Sequence, residues 1–117
     1  MLGSARLGLV MKNADLFQEL LATYRKHGWE LRSALLRPET QAELALNVPV
    51  KEATFDALWF SRPSHNNREA WELRLLAQTQ YALFETFEAD ETEEERADVK
   101  LEMEAKLRNF LAADERA

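Results

Sequence analysis

Asn13-Ala14-Asp15-Leu16-Phe17-Gln18-Glu19-Leu20-Leu21-Ala22-Thr23-Tyr24-Arg25-Lys26-His27-Gly28-Trp29-Glu30-Leu31-Arg32-Ser33-Ala34-Leu35-Leu36-Arg37 contains the change of period on which the fold depends. Up to His27, the apolar residues Leu16, Phe17, Leu20, Leu21 and Tyr24 recur at spacings of three and four, the stripe of an amphipathic helix. Asn13 is placed to accept hydrogen bonds from the first free N–H groups, and Asp15 suits the positive end of the helix dipole. Arg25, Lys26 and His27 fill the last turn, where positive charge is favoured, and Gly28 supplies the left-handed residue that ends the helix. Beyond it Trp29, Leu31, Ser33 and Leu35 alternate with Glu30, Arg32 and Ala34, the period of a strand with one wet face. Pro38 stops it. A tight connection through one glycine packs the helix back over a sheet, and the chain is therefore α+β.

Downstream, Pro38–Leu44 can form one helical turn with proline at its first position. Asn47-Val48-Pro49-Val50 reads as an extended linker or an edge strand. Thr54–Arg62 and Ala70–Ala77 are two β-patterned runs joined by Pro63-Ser64-His65-Asn66-Asn67-Arg68, a loop dense in turn formers. They make a hairpin with two registers open. In one, Trp59 shares a face with Trp71 and Leu73, joined by Phe55 and Ala57. In the other, Leu58 and Phe60 take that face. Tyr81–Phe87 reads as a bent continuation of the Ala70–Ala77 strand or a fourth strand, with a helical turn as the alternative. Thr92 with Glu95 makes a capping box for a helix from about Glu93 to Ala113, whose inward stripe is Val99, Met103, Leu107, Phe110 and Leu111.

The expected architecture is a two-layer sandwich, an antiparallel sheet of three to four strands with an N-terminal and a C-terminal helix on one face. Residues 1–12 are expected to be a flexible or short extended segment, 13–113 a single domain and 114–117 a disordered tail. A chain of 117 residues suits one domain, and 46% hydrophobic residues with 3 Gly and 3 Pro support a packed core.

The net charge of −6 is uneven: residues 85–117 hold twelve acids and five bases, a net of −7. Acidic proteins repel phosphate backbones, so neither nucleic acid nor an anionic membrane is expected as a partner. The absence of cysteine excludes disulfides and thiolate chemistry. No apolar run reaches the roughly 20 residues of a membrane span, and Met1–Met11 lacks the basic n-region of a secretory signal, so the cytoplasm is the expected location.

Catalytic motifs are missing. With two histidines and no HxH or HExxH spacing, no metal or cofactor is expected. His65 reads as a solvated turn residue and His27 as a helix C-terminal one. Two stretches, Leu36-Arg37-Pro38-Glu39-Thr40 and Arg68-Glu69-Ala70-Trp71-Glu72-Leu73-Arg74, have the look of signature motifs. Arginines in or beside the strands, with tryptophans and a tyrosine near them, form the one constellation of interest. Arg32, Trp59, Arg62, Trp71, Arg74 and Tyr81 would line a pocket for a small anionic or aromatic ligand if they converge. Outward arginines pairing with Glu30, Glu69 and Glu72 explain the same pattern without a ligand. If two helices cover one face, the other stays open, and Trp59 or Phe60 on it would form an apolar patch for a partner. The leading expectation is a noncatalytic interaction or self-associating module, a homodimer or a subunit bound to another protein. The rival is a small-ligand-binding protein or enzyme.

Overall fold

The structure, a computed structural model, describes residues 12–116 and the side chains of residues 12–113. The segment expected to be extended before residue 12 lies outside the described residues. Helix α1 spans Asn13–Lys26, strand β1 Glu30–Leu36, the short helix α2 Pro38–Glu43 and strand β2 Val50–Glu52. Strand β3 (Ala57–Pro63) and strand β4 (Glu69–Leu75) flank a 3-10 turn at His65–Asn67, and strand β5 (Ala82–Phe87) precedes helix α3 (Glu93–Arg116). The final helix thus continues three residues past the expected boundary at Ala113.

Local chemistry accounts for most of these limits. Gly28 sits at φ +85, the left-handed conformation that lets the chain leave α1 and enter β1 at once. Thr92 and Glu95 form the capping box, with Glu95 N–H donating to Thr92 Oγ1 at 3.1 Å and Thr92 N–H to Glu95 Oε1 at 2.8 Å. At the other helix the expectation fails. Lys12, not Asn13, is the capping residue of α1, and Asn13 Nδ2 instead donates to Glu43 Oε1 on α2 at 3.3 Å. The hairpin turn places Asn66 and Asn67 at φ 58 and 62, a conformation that asparagine tolerates well.

The five strands form one sheet in the order β2-β1-β3-β4-β5. It is mixed, because residues 37–49 carry the chain over through α2 and return β2 parallel to β1, while the other pairs are antiparallel. A bulge between Leu31 and Ser33 shifts the β1–β3 register. Trp59 pairs with Leu73 and Ser61 with Trp71, so Trp59, Trp71 and Leu73 share a face while Phe60 points the other way.

The helices do not share a face. Leu16, Phe17, Leu20 and Leu21 of α1 pack with Ala34, Leu36, Leu58 and Phe60. Met103 and Leu107 of α3 pack with Leu35, Ala57, Trp59, Leu73 and Leu75 on the opposite side. Three layers therefore replace the expected two. The cause is β3, where Ala57-Leu58-Trp59-Phe60-Ser61 is buried at every position, as a strand covered on both faces must be.

Two buried carboxylates tie the layers together. Asp56 accepts from the main-chain N–H of Arg37 at 2.8 Å, from Arg37 Nε at 3.1 Å and Nη2 at 2.8 Å, and from Thr40 Oγ1 at 2.7 Å. Glu104 on α3 accepts from Lys51 Nζ at 3.0 Å and from the Trp59 indole at 3.1 Å. Both meet the requirement that a buried charge be paired and hydrogen-bonded.

Candidate functional site

The sheet is closed on both faces along its centre but open at the β5 edge. Leu75 N–H donates to Tyr81 O at 3.0 Å, and the alternation of an antiparallel ladder then makes Leu83 and Glu85 the β5 residues bonded to β4. The main-chain groups of Ala82, Phe84 and Thr86 consequently point away from the sheet. Thr86 N–H has only a long contact, 3.4 Å, to the carboxylate of its neighbour Glu85. Phe84 is 58% exposed, its ring held edge-on to Trp29 at 6.2 Å.

Beside this edge, α1 leaves part of β4 uncovered. The result is an open groove of about 650 Å³, lined by Leu16, Leu20, Tyr24, Trp29, Glu72 and Arg74 among others. Tyr24 stacks on Phe60 at 4.0 Å and donates its hydroxyl to Glu72 Oε2. Burial, and then the hydrogen bond to that carboxylate, push the phenol pKa well above its ordinary value, so Tyr24 stays a donor. Arg74 is oriented by donating Nε to the main-chain oxygen of Leu75 at 3.0 Å. The groove can hydrogen-bond and stack. Among the described residues it holds no nucleophile paired with a base: the His27 ring has its hydrogen bond with the Thr23 carbonyl, at 2.9 Å, and His65 is exposed at the hairpin tip.

The six residues expected to line one pocket are divided between the two faces. Arg32, Trp59, Trp71 and Tyr81 lie on the α3 side, where Trp59 meets Trp71 edge-on at 6.1 Å and Tyr81 stacks on Phe110 at 3.8 Å. Arg32 lies over Trp71 at 6.0 Å and also pairs with Glu30 at 3.1 Å. Lys100 covers the same indole at 3.4 Å; its burial lowers the amine pKa, against the pull of Glu93 and Glu69. Arg62 and Arg74 lie on the α1 side. Arg62 donates to the His27 carbonyl at 2.6 Å and covers Trp29 at 5.5 Å, securing the end of α1. The sheet itself keeps the six apart.

Trp59 and Phe60, expected on an open apolar face, are 4% and 0% exposed. They belong to the two cores, since each face has its own helix. The residues that sequence reasoning passed over are Phe84, Tyr24 and Glu72. Phe84 alternates with Leu83 and Glu85 in a strand lacking Pro and Lys, which is the mark of an unguarded edge.

The sequence matches no protein-family model, no curated protein and no solved structure. Among the described residues, no helix is long and apolar enough to cross a membrane.

Proposed function

We propose that the chain is a noncatalytic self-associating interaction module and that a second copy pairs with it along β5. The outward-facing, strand-unpaired main-chain edge of Ala82, Phe84 and Thr86 beside a 58%-exposed phenylalanine carries the reading. Natural edges are blunted by proline, lysine, bulges or shortness, and β5 has none of these over its six residues. The strand is also self-complementary. With two β5 strands antiparallel about a two-fold axis at Phe84, Phe84 faces its own copy, Ala82 faces Thr86 and Leu83 faces Glu85. No like charges then stand directly opposite, and on the order of six main-chain hydrogen bonds close the joint. The ten strands of two copies become one continuous sheet, with the two Phe84–Trp29 pairs meeting at its centre.

Native mass spectrometry of the full chain tests this with Phe84→Pro and Phe84→Glu. Proline removes only an outward N–H, which an edge strand tolerates, and glutamate places like charges across the axis. The wild type should be a dimer and both variants monomers with unchanged circular dichroism. Because each copy carries −6, the dimer should tighten from about 0.05 to 0.5 M salt as repulsion is screened. A monomeric wild type, or two variants that dimerise as well as it does, would refute the proposal.

A further inference from the structure

We infer that the cavity between β4 and the C-terminal half of α3 is a binding site for a small organic carboxylate with an apolar body. This cavity, of about 430 Å³, is separate from the β5 edge and lies beside the Asp56 network. Arg37 and Arg108 line it, with Phe55, Leu75, Leu76 and Leu111 forming apolar walls.

The inference rests on how Arg37 is held. Asp56 has a side chain only 3% exposed, while that of Arg37 is 41% exposed. Both Asp56 oxygens are taken up, Oδ1 by the main-chain N–H of Arg37, and Oδ2 by Nε and Nη2 of Arg37 and by the Thr40 hydroxyl. The guanidinium is thus fixed from behind, and among the described residues its Nη1 has no hydrogen-bond partner. An arginine clamped in this way has already lost the side-chain freedom that ligand binding would otherwise cost.

Arg108 supplies a second cation. Its guanidinium covers Phe55 at 5.8 Å, and among the described residues no carboxylate pairs with it. Among the described residues Asp56 is the single carboxylate lining the cavity, and with its oxygens engaged it offers an anion little competition. The cavity is therefore cationic within a protein of net charge −6. The open Nη1 of Arg37 beside the guanidinium of Arg108 suits a carboxylate, and walls of Phe, Leu and Ala suit a hydrocarbon body better than a bare inorganic anion.

The stretch Leu36-Arg37-Pro38-Glu39-Thr40 acquires a role in this reading. Pro38 begins α2, which sets Thr40 against Asp56, and Asp56 in turn aims Arg37.

Titration of the full chain with sodium benzoate and, separately, inorganic phosphate, followed by amide NMR shifts, tests the assignment. Benzoate should move the amides of Phe55, Leu76 and Ala77 and saturate at lower concentration than phosphate. Arg108→Gln, at an exposed position, should leave the spectrum folded and weaken benzoate about 10- to 100-fold, the value of one charged hydrogen-bonded contact. Shifts that bypass these amides, phosphate binding as well as benzoate, or equal affinity in Arg108→Gln would overturn the proposal.

Discussion

Replacing Asp56 by alanine should cost about 3–5 kcal/mol of folding stability, within the roughly 2–7 kcal/mol to which its separate contacts sum. The figure can be assembled from the contacts. The Arg37 guanidinium is 41% exposed and can turn to water, so its ion pair contributes about 1 kcal/mol or less. Thr40 is 0% exposed, and its hydroxyl would be left without the acceptor it now has at 2.7 Å, at a cost of about 1–3 kcal/mol. The main-chain N–H of Arg37 loses its acceptor at 2.8 Å, costing about as much again. Set against a total stability of about 5–15 kcal/mol, the loss is large and lowers the melting temperature by roughly 10–20 °C. A double-mutant cycle isolates the cause. Thr40→Val alone should cost about 1 kcal/mol, but in the Asp56→Ala background it should be neutral or stabilising, because it removes the stranded hydroxyl. Urea denaturation followed by tryptophan fluorescence reads all four proteins. A cost below about 1 kcal/mol for Asp56→Ala, or the same cost for Thr40→Val in both backgrounds, would refute the reasoning.

Two further outcomes follow from the α1 face. Phe60→Ala should lose about 3–5 kcal/mol, since it empties a fully buried position and removes the stack on Tyr24; a stable variant changed only in subunit count would return Phe60 to an interface role. Tyr24 should make the protein sensitive to alkali. Its folded pKa is raised, so below about pH 10 the phenol is protonated in both states and its contribution is intact. Above that pH the unfolded phenol ionises first, the folded state holds more protons, and stability falls as pH rises. Tyr24→Phe should be less stable at neutral pH through loss of the Glu72 hydrogen bond, yet show a shallower decline in urea midpoint between about pH 9 and 11. Equal slopes would exclude Tyr24 as the source.

Elements whose information is local were legible in the sequence. The α1 stripe, Gly28, the Thr92–Glu95 box and the Val99–Leu111 stripe each lie within a few turns of chain, and each forms as expected. Hairpin register was open because Ala57–Phe60 is apolar on both parities, so alternation could not choose a face. That ambiguity was itself the missed signal. A run such as Ala57-Leu58-Trp59-Phe60 is unsuited to a strand with one wet face and marks a strand covered on both. Reading it so would have moved Trp59 and Phe60 into cores and separated Arg62 and Arg74 from Arg32 and Trp71. The Arg37–Asp56–Thr40 network was beyond reach, since Asp56 is far in sequence from its partners and only the β1–β3 pairing brings them together.

Covering both faces of a sheet transfers its capacity for association to the edges, and here the two edges differ. β2 ends one side with three residues, follows Pro49 and carries Lys51, whose ammonium is drawn to Glu104 on α3. With Lys51 so engaged, shortness and a flanking proline are the devices that keep this strand from recruiting another. β5 ends the other side with six residues and none of those devices, and its one charged side chain, Glu85, faces the α3 layer beside Trp71 rather than standing in the edge plane. An edge left open through neglect would be expected to have polar residues around it. Phe84 instead remains exposed against Trp29, where it adds nothing to either core and would be buried by a second β5. The asymmetry between a guarded and an unguarded edge in one small sheet is the physical ground for the proposed association along β5.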